Sequence, residues 1–189
     1  MTRTRLWLLR LIVAVAVARG CEPGFLHAQE TPLTEFQLKA VFIYNFAKFV
    51  EWPADTFPDP KSPFVIGIIG EDPFGNYLEE TVKNKFMNEH PFTVRHVRLL
   101  PDVVKCHILF VADSERKRLP EILNGIRGAS VLTVSDLDRF LESGGIIRFY
   151  MEGNKVRFQI NNDAAKRVGL KISSKLLRLG SRTEGEETK

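Results

Sequence analysis

Apolar positions recur at three- and four-residue spacings through residues 38–53, LKAVFIYNFAKFVEWP, placing Leu38, Val41, Phe42, Phe46, Phe49 and Val50 on one face of a predicted helix. Lys39, Asn45, Lys48 and Glu51 fall elsewhere on the cylinder. Pro53 ends the helix, because a residue before proline is pushed out of the helical region. Four prolines make 53–63 a loop. The period then changes. Residues 64–69, FVIGII, and 107–112, HILFVA, are uninterrupted apolar runs, the mark of strands buried on both faces. Residues 92–100 alternate apolar with basic, as in an edge or half-buried strand, and 131–134 form another short strand. Helical patterns lie at 74–85, with Tyr77, Leu78 and Val82 on one side, and at 114–126, with Ser114 as its cap. A further one at 135–142 ends in Ser143-Gly144-Gly145. Strands 146–150 and 156–160 flank Glu152-Gly153-Asn154-Lys155, a hairpin signal, and helices at 163–168 and 173–179 close the domain. Apolar strands alternating with amphipathic helices predict a three-layer α/β sandwich. Its mostly parallel sheet has about six strands, with a hairpin near the C-terminus.

The ends of the chain read differently. Arg3 and Arg5 precede an apolar run at 11–18 that is short for a membrane span, as in an export signal, with Arg10 shortening the run. Leu26-His27-Ala28 offers a small residue for cleavage after Ala28, so the predicted mature domain is 29–180, followed by a flexible polar tail at 181–189. Two alternatives stand beside cleavage: a lipoprotein box ending at Cys21, which Arg19 fits badly, and a retained signal anchor. Three units of the net charge of +4 belong to the leader. Without its four arginines and Glu22, 27 basic and 23 acidic residues become 23 and 22. A near-neutral domain with no basic stripe argues against nucleic acid as a partner. With the leader gone only Cys106 remains, so no internal disulfide is available, and its apolar surroundings predict an inert core thiol.

Chemistry is sparse. Gly67-Ile68-Ile69-Gly70 followed by Gly75 matches neither a dinucleotide fingerprint nor a phosphate loop, and Glu71 and Asp72 would repel phosphate. His90, His96 and His107 lack the spacing of a helical zinc pair, while Cys106 and His107 point to opposite strand faces and form no dyad. Ser173-Ser174-Lys175 lacks the spacing of a serine acyl enzyme and reads as a helix cap. The expectation is no catalytic set, no metal and no cofactor. Two features invite a partner. Phe42, Tyr44, Phe46, Phe49 and Trp52 cannot share one stripe, so Tyr44 and Trp52 fall away from the phenylalanine side and suit an interface, or Trp52 plugs the sheet end. Asn161, Asn162, Lys171, Ser173 and Ser174 cluster at short helix starts, either as caps or as an exposed docking surface.

Three segments carry a resemblance. LKAVFIYNFAKFVEWP resembles the N-terminal signature of the YfiR family of periplasmic regulators. Residues 144–180, GGIIRFYMEGNKVRFQINNDAAKRVGLKISSKLLRLG, resemble its C-terminal signature, and 66–78, IGIIGEDPFGNYL, its first strand and following helix. The resemblance implies a Rossmann-like fold in the periplasm and a regulator rather than an enzyme. Such a regulator binds the periplasmic sensor portion of an inner-membrane diguanylate cyclase and restrains cyclic-di-GMP synthesis. An outer-membrane lipoprotein that sequesters it, a homodimer, or a different sensor such as a histidine kinase are further partners the family implies. Some relatives carry disulfides, from which this sequence departs. A second expectation is a small-molecule binding module with its ligand at the carboxyl ends of the strands. A hydrolase with an unrecognised site is the third.

Overall fold

A computed structural model describes residues 33–182 except Pro60. The expected leader, its cleavage after Ala28, Cys21 and tail positions 183–189 lie outside the described residues. No described helix is long and apolar enough to cross a membrane.

Helix α1 (Glu35–Phe49) starts at a capping box in which Thr34 Oγ1 accepts from Gln37 N–H and Gln37 Oε1 from Thr34 N–H. Its buried stripe is Lys39, Ala40, Ile43, Phe46 and Ala47, continued by Val50. The helix is therefore rotated from the predicted orientation: Leu38, Val41, Phe42 and Phe49 are only half-buried. Ala40 and Ala47 allow close approach to the sheet, and the Phe42 ring fills the flank against Phe46, Phe149 and Phe158. Lys39, expected off the apolar stripe, is 3% exposed.

Strand β1 (Val50–Glu51) pairs antiparallel with β9 (Lys171–Ile172), Val50 opposite Ile172 and Glu51 opposite Lys171. The remaining strands are β2 (Phe64–Ile69), β3 (Phe86–Met87), β4 (His90–Val97), β5 (Ile108–Val111), β6 (Leu132–Ser135), β7 (Ile147–Glu152), β8 (Lys155–Ile160) and β10 (Ser181–Arg182). They form an eight-stranded sheet in the order β10-β8-β7-β6-β5-β2-β4-β3. Only the β7–β8 hairpin and the β3–β4 edge pair are antiparallel. The mostly parallel α/β sandwich with its C-terminal hairpin is thus the observed fold, with two more strands than the sequence pattern predicts. Alternate residues of the central strands feed two cores. Ile66, Ile68, Ile108 and Phe110 join α1, and Val65, Ile69, Leu109 and Val111 pack on the opposite face. There they meet α3 (Leu100–Val103) and α4 (Leu119–Gly125) through Val103, Leu119 and Ile122.

Three predicted helices differ. The one at 74–85 shrinks to α2 (Tyr77–Val82), stopped by Asn84 at φ 58°. The one at 114–126 opens as a 3₁₀ turn, Asp113–Arg118, before α4, because Pro120 favours a first helical turn. Ser114 does not cap it; its Oγ accepts from Glu71 N–H. The one at 135–142 is a series of turns: Ser135 Oγ accepts from Leu137 N–H and donates to Val111 C=O, and Arg139 adopts φ 58°. Helices α5 (Asn162–Arg167) and α6 (Ser174–Leu179) follow the hairpin as expected.

Candidate functional site

Of the residues singled out for a partner, the structure joins some and separates others. The β1–β9 ladder sets Glu51 opposite Lys171, with Trp52 following β1 in the chain, and Ser173 N–H donates to Phe49 C=O at 2.9 Å. This junction unites the two signature segments. Glu51, Lys171 and Ser174 are exposed, whereas Trp52 lies edge-on to Phe64 with a buried Nε1 that lacks a hydrogen-bond partner. Tyr44 packs instead on Phe92, with Lys48 and Lys85 over its ring at 4.5 and 4.3 Å. Asn161 and Ser173 are N-caps, accepting from Ala164 and Leu176 N–H, and Asn161 Nδ2 also donates to Leu141 C=O. Asn162 opens α5, half-buried.

Polar chemistry gathers at the carboxyl edge of the sheet. Lys39 Nζ reaches Asp136 Oδ2, just beyond β6, at 2.9 Å and Glu35 at 2.5 Å, and the same nitrogen lies 5.1 and 5.9 Å from the centroids of the Phe36 and Phe149 rings. Arg148 donates to Leu137 C=O and pairs with Asp138. Further along the same edge, Asp72 Oδ2 lies 2.8 Å from His96 Nε2, and a Glu79 oxygen from α2 joins them, all three within 4.8 Å of one another. Helical zinc spacing could not reveal this set, since it draws on a turn, a helix and a strand. It exists because β2 and β4 pair in parallel with Ile68 opposite His96.

The clefts open elsewhere. One of about 650 Å³ is lined by Leu123, Arg127, Val131, Thr133, Ile146 and Arg167, near the amino ends of β6 and β7. Another of about 450 Å³ is lined by Thr56, Val65, Arg95, Lys105, Cys106 and His107. His107 is sandwiched between Phe57 and Phe64, each centroid 4.6 Å away. Val65 N–H donates to its Nδ1, leaving the proton on Nε2, which is buried without a partner. Burial first, then the nearby His90, pushes its pKa down to about 4. Cys106 is buried, and burial pushes its thiol up to about 11, so it is protonated at neutral pH. Gly67 is a packing necessity: an added Cβ would lie 2.4 Å from Cys106 Sγ.

The YfiR/HmsC-like family model matches residues 36–181. No curated protein matches the chain. Among solved structures, a conserved domain protein from Vibrio cholerae O1 biovar El Tor aligns with TM-score 0.55 and 11% identity over 80% of this chain. The ABC domain in complex with L-Trp from Streptococcus pneumonia aligns with TM-score 0.51 and 12% identity over 78%. The chain covers 61% of each of those two structures, and at such identities the likeness concerns the fold alone.

Proposed function

The chain belongs to the YfiR/HmsC-like family, and from that membership we propose that it is a periplasmic regulator acting by contact with an inner-membrane sensor. The sensor is a diguanylate cyclase, bound through its periplasmic portion and held inactive, with a sequestering outer-membrane lipoprotein and a homodimer as further assemblies. The observation that carries this reading is the family match across 36–181, nearly the whole described domain. Physically, restraint needs only that the bound regulator favour the inactive receptor by its differential affinity. The exposed side chains at the β1–β9 junction offer one contact surface.

The test pairs capture with a cellular readout. Immobilised protein should retain a cyclase from detergent-solubilised inner membranes, and deleting its gene should raise cellular cyclic-di-GMP until the chain is restored. Unchanged cyclic-di-GMP with no membrane protein retained overturns the reading. The 650 Å³ cleft favours one alternative, a small-molecule binding module feeding another receptor or a histidine kinase. Its ligand would then enter at the amino rather than the carboxyl ends of the strands, and a metabolite that raises Tm would identify it.

A further inference from the structure

We propose that Asp72, Glu79 and His96 form a site for Zn²⁺ at the carboxyl ends of β2 and β4. Each ligand is positioned by a different element. Asp72 lies in the turn after β2, where its Oδ1 accepts from Phe74 N–H at 2.7 Å, leaving Oδ2 directed at His96 Nε2. His96 projects from β4, and Glu79 from the first turn of α2.

Two independent observations meet here. The three ligand atoms already lie within 4.8 Å of one another, and a cation binding them at about 2.0–2.2 Å would bring them to about 3.4 Å apart, replacing the 2.8 Å Asp72–His96 hydrogen bond as those two atoms part. Separately, Glu79 Oε2 is sealed from water and has no hydrogen-bond partner. A carboxylate oxygen so placed is one that a bound cation would satisfy. A dication balances the two carboxylates. The imidazole selects a borderline transition ion over Mg²⁺ or Ca²⁺, which prefer oxygen-only sets. His96, 52% exposed, leaves an open side for entry and for a water ligand. The bound ion clips the β2 turn and α2 to the carboxyl end of β4.

The experiment titrates ZnCl₂ into EDTA-stripped purified protein by calorimetry, with metal counted after dialysis and Tm followed in parallel. One ion per chain should bind, raising Tm with concentration, and MgCl₂ should not replace it. H96Q and E79Q should each weaken binding by at least about 10-fold, a loss that even supporting residues around a metal produce. E80Q, the exposed neighbour on α2, should bind normally. Absence of zinc uptake, or uptake undiminished in H96Q, overturns the site. Because His96 is half exposed, H96Q decides the matter even if E79Q fails to fold.

Discussion

His107 sets an acid limit on the fold. In the native state burial and His90 hold its pKa near 4, against 6.5 ordinarily, so the folded protein refuses a proton that the unfolded chain accepts. Its contribution is fully present above pH 6.5, erodes as pH falls towards about 4, and erodes no further once the native ring is also protonated. The loss across that window is at most about 3 kcal/mol. Urea unfolding between pH 7.5 and 4 should therefore show a steeper fall for the wild type than for H107F. The variant keeps an aromatic ring between Phe57 and Phe64 but cannot titrate. It should start about 1–3 kcal/mol lower at neutral pH, because Val65 N–H loses its acceptor. Parallel pH curves would show that other groups set the acid limit. Lys39 is the counterpart on the sheet's other edge: buried, yet satisfied by Asp136 and Glu35, both of which reach solvent and so soften the desolvation cost.

At the scale of elements, the sequence left two serines open as the start of α6, and the structure separates them. Ser173 Oγ accepts from Leu176 N–H, while Ser174 is the exposed first helical residue. S173A should cost about 1 kcal/mol in chemical denaturation and S174A less than about 0.5; equal losses would mean the cap is shared. The strands were legible because uninterrupted apolar runs such as FVIGII have one home, the middle of a sheet covered on both sides. The hairpin was legible for its turn, where Gly153 takes φ 58°. What escaped had weak local signals. In α1, apolar residues surround most of the cylinder, so periodicity could not show that small Ala40 and Ala47 face the sheet. In 135–142 the helical spacing is genuine, but Ser135 and Arg139 divert the backbone into turns. The β1–β9 ladder is two residues long and joins positions 120 apart, invisible to any window of sequence.

Across the whole molecule, that ladder matters more than its length suggests, because it fastens the end of α1 to the start of α6 and so makes one surface from two remote segments. The candidate residues were legible as chemistry but not as a group. Asn161 and Ser173 are engaged as caps and Trp52 is turned into the core, which leaves the charged pair Glu51 and Lys171 as exposed side chains at the junction. If the receptor docks there, reversing either charge should weaken its retention while sparing the fold, since neither side chain is buried. We expect K171E and E51K each to lower receptor affinity by about 10-fold, equivalent to about 1.4 kcal/mol, with Tm little changed. The double reversal, which restores an opposite-charge pair across the strands, should likewise keep Tm yet not recover binding, because the receptor reads the arrangement of charge and not its sum. Surface plasmon resonance against the captured sensor measures all three. Full affinity in both single variants would move the docking surface off this junction.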